Sequence, residues 1–225
     1  MIALAIDTSS SLCSACIYDS EQGIVLGKQS EDIGRGHAEH LMEIISTTMH
    51  QAGIDHARLD RVITSIGPGS FTGIRVGVAT ARGFGIALSV PVIGVSILEN
   101  LICRTGIKDK PVGAIQLAGR GEAYCQFTID CEFAAANTPF VAKLADIENS
   151  QILKAAALTL CGSGAEEVSK ALNATLADIK AHCAIEFIAA EGCKASYDGT
   201  RPEPLYLRKP DAKVQQGFAV ERSDQ

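Results

Sequence analysis

The sequence predicts an α/β fold built as two related lobes, and three observations carry that expectation. The chain opens with three short apolar segments joined by tight polar turns, the pattern of an antiparallel meander. The meander then gives way to alternating strands and helices, where β-branched runs are followed by apolar residues at a 3.6 period. Near residues 106–110 the composition turns polar. Beyond that point the same opening loosely repeats: antiparallel strands, then strand–glycine–helix. The expected division is residues 1–105 for the first lobe and residues 106–225 for a smaller, less regular second lobe.

Residues 2–6 form the first strand and end in Asp7-Thr8-Ser9-Ser10. A carboxylate and hydroxyls at a strand end can reach a phosphate or its metal, or simply close an Asx or Ser/Thr turn. Residues 12–18 and 23–28 complete the meander. A helix follows over 36–52, where Leu41, Ile44, Ile45, Thr48 and Met49 keep a roughly 3.6 spacing and Gly53 stops it. His37 and His40 share a face of this helix at its N-terminal end. Their spacing can hold a metal, but no third ligand is suggested nearby, and a surface pair beside Glu39 is the plainer reading.

The stretch that organises the chain is residues 61–88. Val62 to Ile66 is a short β-branched strand bounded by Gly67-Pro68-Gly69. Ser70 or Thr72 can cap the helix beyond, because a side-chain oxygen there accepts an orphan N–H of the first turn. Along this helix Gly73, Gly77, Ala81 and Gly85 recur every four residues, so one side is bare. Each glycine costs about 1 kcal/mol against alanine inside a helix, which something must offset. A bare side permits close approach of another backbone, either within the chain or in another subunit. The glycine turn could present N–H groups to an anion. It has no Lys-Ser/Thr as in a P-loop and no Gly-x-Gly-x-x-Gly, so a tight structural turn ranks first.

Residues 91–95 make a buried strand and 96–104 a helix. In the second half, 112–117 and 122–129 read as strands, 132–149 as loop with a short strand, 159–164 as a strand ending in glycines, and 166–172 as a helix. Residues 184–190 are ambiguous, 204–208 are strand-like, and the polar tail from Lys213 is loose.

The totals bound the function. With 225 residues, 47% hydrophobic and 20% charged, the chain can form a real core. A mean hydropathy of +0.16 leans toward a buried subunit interface. A net charge of −6 argues against an unaided grip on nucleic acid, and 5% aromatics with no Trp argue against a base-stacking platform. The start of the chain lacks a basic n-region and meets Asp7 early, and no apolar run reaches the length of a membrane span. Eight cysteines fit thiols of a reducing cytoplasm. Cys13 and Cys16 lie three apart in a strand and so face opposite sides, while Cys103, Cys125, Cys131, Cys161, Cys183 and Cys193 supply no paired zinc spacing.

Several segments together resemble one family. Ile-Gly-Pro-Gly-Ser-Phe-Thr-Gly-Ile-Arg-Val-Gly (66–77), Ala-Ile-Asp-Thr-Ser (5–9), Gly-His-Ala-Glu-His-Leu (36–41) and Pro-Leu-Tyr-Leu-Arg (204–208) are similar to TsaB, formerly YeaZ. That family supplies the partner subunit of the bacterial tRNA threonylcarbamoyladenosine-forming complex. The resemblance implies the actin/Hsp70/sugar-kinase-like fold, with two lobes of β-β-β-α-β-α build. It implies pairing with a TsaD-like catalytic subunit through helices of the first lobe, contact with a TsaE-like ATPase through the complex, and a homodimer in isolation. It further implies a cytoplasmic location, tRNA met only indirectly, and no membrane. The partner interface is expected at Gly73, Gly77, Ala81, Gly85, Arg75, His37 and Leu41.

The resemblance also bears on chemistry. TsaD carries a His-x-Glu-Gly-His metal motif at the strand–helix joint after its glycine-rich helix. Aligned through the preceding Gly94-Val95, this chain places Ile97 and Leu101 at the two histidine positions. No catalytic residue and no metal are therefore expected. Many TsaB sequences open the second lobe with Asp-Ala-Arg-x-Gly-Glu-x-Tyr; here Leu117 stands at the Asp position of Leu-Ala-Gly-Arg-Gly-Glu-Ala-Tyr (117–124). The turn at Asp7 also lacks the glycine of phosphate-binding hairpins. No cofactor is expected beyond weak ATP or ADP binding at a vestigial nucleotide site formed by Asp7, Thr8, Ser9, Gly67 and Gly69. The alternative is a stand-alone enzyme of the same fold, a glycoprotease-like metallopeptidase or a nucleotide-dependent phosphotransferase.

Overall fold

The structure, a computed structural model, describes residues 1–177 and 184–208. The expected loose tail from Lys213 and the thiol of Cys183 lie outside those residues. Strands β1 (Ile2–Asp7), β2 (Leu12–Asp19) and β3 (Ile24–Asp32) form the antiparallel meander, with Leu4 opposite Ile17 and Ala5 opposite Cys16. Helix α1 (His37–Ala52) crosses over to β4 (Arg61–Gly67), and α2 (Phe71–Leu88) crosses to β5 (Val92–Ser96). Strands β1, β4 and β5 run parallel, giving the order β3-β2-β1-β4-β5. Helix α3 (Ile97–Arg104) then leads to the second sheet.

That sheet contains β6 (Val112–Gly119), β7 (Glu122–Phe127), β8 (Phe140–Lys143), then, after helices α4 (Leu144–Asn149) and α5 (Gln151–Ala155), β9 (Thr159–Cys161). Helix α6 (Ala165–Ser169) and β10 (Thr175–Leu176) complete it. Read from its meander edge the order is β8-β7-β6-β9-β10, the same plan as the first sheet. The two lobes are thus related by topology, as their loose sequence repeat implies.

Three segments differ from the sequence expectation. Residues 204–208, read as strand-like, form no strand and join neither sheet, their anchors being mostly side chains. Residues 144–149, read as loop, are helical: Ile147 is fully buried and Leu144 partly so, too few apolar residues to display a period. The ambiguous stretch near residue 184 is α7 (Ile185–Lys194), whose Ile185, Ile188, Ala189 and Gly192 make one buried face. Although it lies beyond residue 106, α7 returns to pack on the first sheet, where a Cβ at Gly192 would collide with Ile63. Arg61 anchors its end by donating to the carbonyls of Gly192, Cys193 and Ala195 at 2.8, 3.2 and 2.8 Å.

The first sheet is therefore covered on both faces. Helices α1 and α2 enclose one core with Leu4, Ile6, Ile17 and Val62, while α3 and α7 enclose another with Ala5, Cys16 and Ile63. Cys13 and Cys16 fall into these two different cores, on opposite faces of β2 as their spacing requires. The second core continues into the other lobe through Val112, Ala114 and Cys161, so α3 is an apolar pillar shared by both sheets. A third core lies under α4, α5 and α6 around Ile115, Cys125, Phe127, Leu153 and Leu160. No helix among the described residues is long and apolar enough to cross a membrane.

Candidate functional site

The joint between β1, β4 and α2 begins with the turn after β1. Asp7 accepts from the backbone N–H of Ser9 at 2.9 Å, an Asx turn, and from the Ser65 hydroxyl at 2.5 Å. Asp7, Thr8 and Ser9 are all buried. Thr8 donates its hydroxyl to the Gly73 carbonyl at 2.7 Å, and the Ser70 N–H donates to the Ser9 carbonyl at 2.7 Å. The turn is therefore clamped beneath the first turns of α2. Ser70, not Thr72, is the cap, its hydroxyl accepting from Gly73 N–H at 3.2 Å.

This clamp is what the bare side of α2 permits. A Cβ at Gly73 would overlap the Thr8 carbonyl, one at Gly69 the Ser9 carbonyl, and one at Gly77 would stand 2.5 Å from Thr8 Oγ1. At Gly85 it would overlap Val92. The expectation that Gly73, Gly77, Ala81 and Gly85 face another subunit is thus corrected: all four positions face this chain's own β1 turn and strands. His37 and Leu41 are buried as well, so they form no surface either; the anticipated surface pair of His37 and His40 is split, with only His40 exposed. Of the seven expected interface residues, Arg75 alone is on the outside.

The exposed faces of α1 and α2 lie opposite those buried sides. On α1 they carry Ala38, His40, Met42, Glu43 and Ser46, and on α2 Phe71, Arg75, Ala79, Gly83 and Ile86. Met42 is 55% and Ile86 65% exposed, the most exposed of the large apolar side chains among the described residues. The signal was present in the sequence: both residues break the apolar period, and an apolar residue out of phase has no core to enter.

Asp7, Thr8, Ser9 and Gly69 do meet at one joint, with Gly67 ending β4 beside them. Ser9 and Gly69 border a cleft of about 380 Å³ between the lobes, together with Ser10, Ser70, Gln116, Leu117, Tyr124 and Ser163. Among the described residues its lining carries no charged side chain. Leu117, at the position where an acid was anticipated, is 40% exposed and donates its N–H to Ser163 Oγ at 2.9 Å. The described lining offers hydroxyls and amides, where a phosphate site would use a cation and its metal a carboxylate.

The metal-motif positions do not fit a metal. Ile97 and Leu101 are 3% and 0% exposed and belong to the pillar core of α3, and neither has a donor atom. Ser96 caps this helix, accepting from Glu99 N–H at 3.4 Å. Among the described residues no group of three or more His, Cys, Asp or Glu is placed to hold a metal ion. The buried thiols are held protonated. Burial pushes Cys13 up to about 11, with the Asp7 and Glu31 charges adding, and Cys16 and Cys161 up to about 12.

Two meander-and-crossover lobes around a cleft place the molecule in the actin/Hsp70/sugar-kinase-like class. The family model described as "TsaD: tRNA N6-adenosine threonylcarbamoyltransferase" matches residues 25–215. An uncharacterized protein of Mycobacterium tuberculosis is 33% identical over 93% of this chain and 93% of its own length. The tRNA threonylcarbamoyladenosine biosynthesis protein TsaB of Escherichia coli is 30% identical over 45% of this chain and 42% of that protein. The TsaB protein of Buchnera aphidicola subsp. Schizaphis graminum is 35% identical over 44% and 46%. A crystal structure of a protein "with similarity to peptidase YEAZ" from Pseudomonas aeruginosa superposes with a TM-score of 0.71, at 25% identity over 92% of this chain and 99% of that one. The chain belongs to the TsaB/YeaZ family, within the reach of the TsaD family model.

Proposed function

We infer that this chain is a non-catalytic subunit in tRNA threonylcarbamoyladenosine biosynthesis. It docks on a TsaD-like catalytic subunit and supports transfer of the threonylcarbamoyl group to N6 of adenosine 37 in tRNAs that read codons beginning with A. One observation carries the reading: Ile97 and Leu101 sit in the core at the positions where the catalytic relative keeps its metal histidines. The helix that would present a metal to substrate instead joins the two lobes.

The docking surface is the outer face of α1 and α2, centred on Met42 and Ile86 with Arg75 at its edge. Its occupant is the TsaD-like chain, and in that chain's absence a second copy of this one. The TsaE-like ATPase is met through the complex, in the cytoplasm. The net charge of −6 leaves tRNA to the partner. The same reading gives the lobe junction no more than weak ATP or ADP binding and assigns this chain no other cofactor.

Coexpression with the host's TsaD-like protein followed by size-exclusion chromatography tests the reading, with a 1:1 co-eluting complex expected. Purified chain alone is expected to leave the tRNA unmodified when given threonylcarbamoyl-adenylate. Modification by the chain alone, one tightly held metal per chain, or micromolar ATP affinity by calorimetry would revive a stand-alone enzyme.

A further inference from the structure

The segment that follows α7 ties together three motifs far apart in sequence. It leaves the first lobe, passes β5, and returns to the end of β4, where the Leu205 N–H donates to the Ile66 carbonyl at 2.8 Å. One residue on, the Tyr206 ring lies 5.0 Å from the Phe71 ring, and its hydroxyl accepts from Arg75 Nε at 2.7 Å. The Arg75 guanidinium stacks on the Phe71 ring 3.9 Å from its centroid and lies 5.5 Å from that of Tyr206. These contacts are all to the first lobe, at the N-terminal turns of α2.

Two residues further the chain is bound to the second lobe. Arg208 donates to the carbonyls of Ala118 at 2.9 Å and Gly119 at 3.3 Å, pairs with the Glu122 carboxylate, and lies 5.6 Å from the Tyr124 ring centroid. Ala118 and Tyr124 line one wall of the cleft, and Ser70, beside Phe71, lines the other. Two residue steps of fully extended chain span only about 7 Å. Between its two anchors the backbone can therefore stretch no further than that.

We propose that residues 205–208 are a clasp across the mouth of the cleft, holding the two lobes at one angle without a bound ligand. The cleft is thereby kept closed by the chain's own side chains, and both lobes present themselves to a partner as one body. Opening requires breaking either the Tyr206–Arg75 anchor or the Arg208–Glu122 anchor. The pillar of α3 joins the lobes at the back of the cleft, so the clasp governs only its mouth.

Hydrogen–deuterium exchange on the full chain tests this with Arg208→Ala, Tyr206→Ala and Glu122→Gln, the last leaving the strap itself intact. Losing a charge-assisted anchor should raise amide exchange at residues 9–12 and 116–119 by about tenfold. Exchange in β1 and α1 should hold within about twofold of the parent. High salt should reproduce part of the Arg208→Ala effect, because the pair is partly exposed. Cleft-mouth exchange unchanged in all three variants would overturn the clasp. Uniform acceleration through β1 and α1 would overturn it too, since it marks residues that hold the global fold and not the lobe angle.

Discussion

Gly77 and Gly83 sit in the same helix, six residues apart, and the structure gives them opposite meanings. A Cβ at Gly77 would press on Thr8 Oγ1 at 2.5 Å and on Thr64 Oγ1 at 3.3 Å, whereas at Gly83 nothing lies within 4 Å. Gly77→Ala should therefore cost about 1–3 kcal/mol through overpacking. Gly83→Ala should stabilise by about 0.5–1 kcal/mol, because helix propensity is gained at no steric cost. Urea denaturation of the two variants checks the pair; a neutral Gly77→Ala would return the bare side of α2 to the role of an outer surface. The glycine spacing was legible in the sequence, but its target was not. Nothing local in residues 71–88 reveals that the Asp7–Ser9 turn, more than sixty residues earlier, comes to rest against them. The same holds for Ser65, which takes the Asp7 carboxylate as its partner only because β1 and β4 lie side by side.

At the scale of elements, the sequence located α1 and α2 and their apolar faces, yet their outer faces carry the proposed contact. Met42 and Ile86 contribute little to the isolated chain because each is more than half exposed. Met42→Glu with Ile86→Glu should leave the unfolding free energy of the monomer, measured at concentrations too low for self-association, within about 0.5 kcal/mol of the parent. Copurification with the TsaD-like subunit should fall by about tenfold or more, as for truncation of central interface residues. Intact copurification in a folded double variant would move the docking surface elsewhere. Helix α7 shows the other limit of element-level reading. Residues 184–190 read as ambiguous in the sequence, which places them after the second lobe, and only long-range packing returns the helix to the first sheet.

For the whole molecule, protonated thiols are distributed through all three cores: Cys13 under α1 and α2, Cys16 and Cys161 around α3, and Cys125 under the second-lobe helices. Desolvation raises each above the ordinary 9.0, Cys125 furthest. Below about pH 9 folded and unfolded chains both hold these protons, so stability is unaffected. As pH rises toward 11 or 12 the unfolded chain releases its protons first, and stability falls by up to about 1.4 kcal/mol per pH unit for each such thiol. Urea midpoints measured from about pH 8 to pH 10.5 should stay level and then drop above about 9. Cys16→Ala should make the drop shallower by one thiol's share. A flat alkaline limb would mean that the thiols are not desolvated as the packing requires.

The sequence by itself determined the two-lobe α/β plan, the strand–glycine–helix joint, a hydroxyl cap at its start from Ser70 or Thr72, and the absence of ligating side chains at positions 97 and 101. Those are properties of residue type and short-range spacing, and short-range geometry is the same wherever the segment ends up. Tertiary structure alone decided that the bare side of α2 meets its own β1 turn, that α3 stitches both lobes, and that Tyr206 and Arg208 fasten opposite walls of one cleft. Each of those depends on which distant surfaces come together, and burial, not local periodicity, selects them.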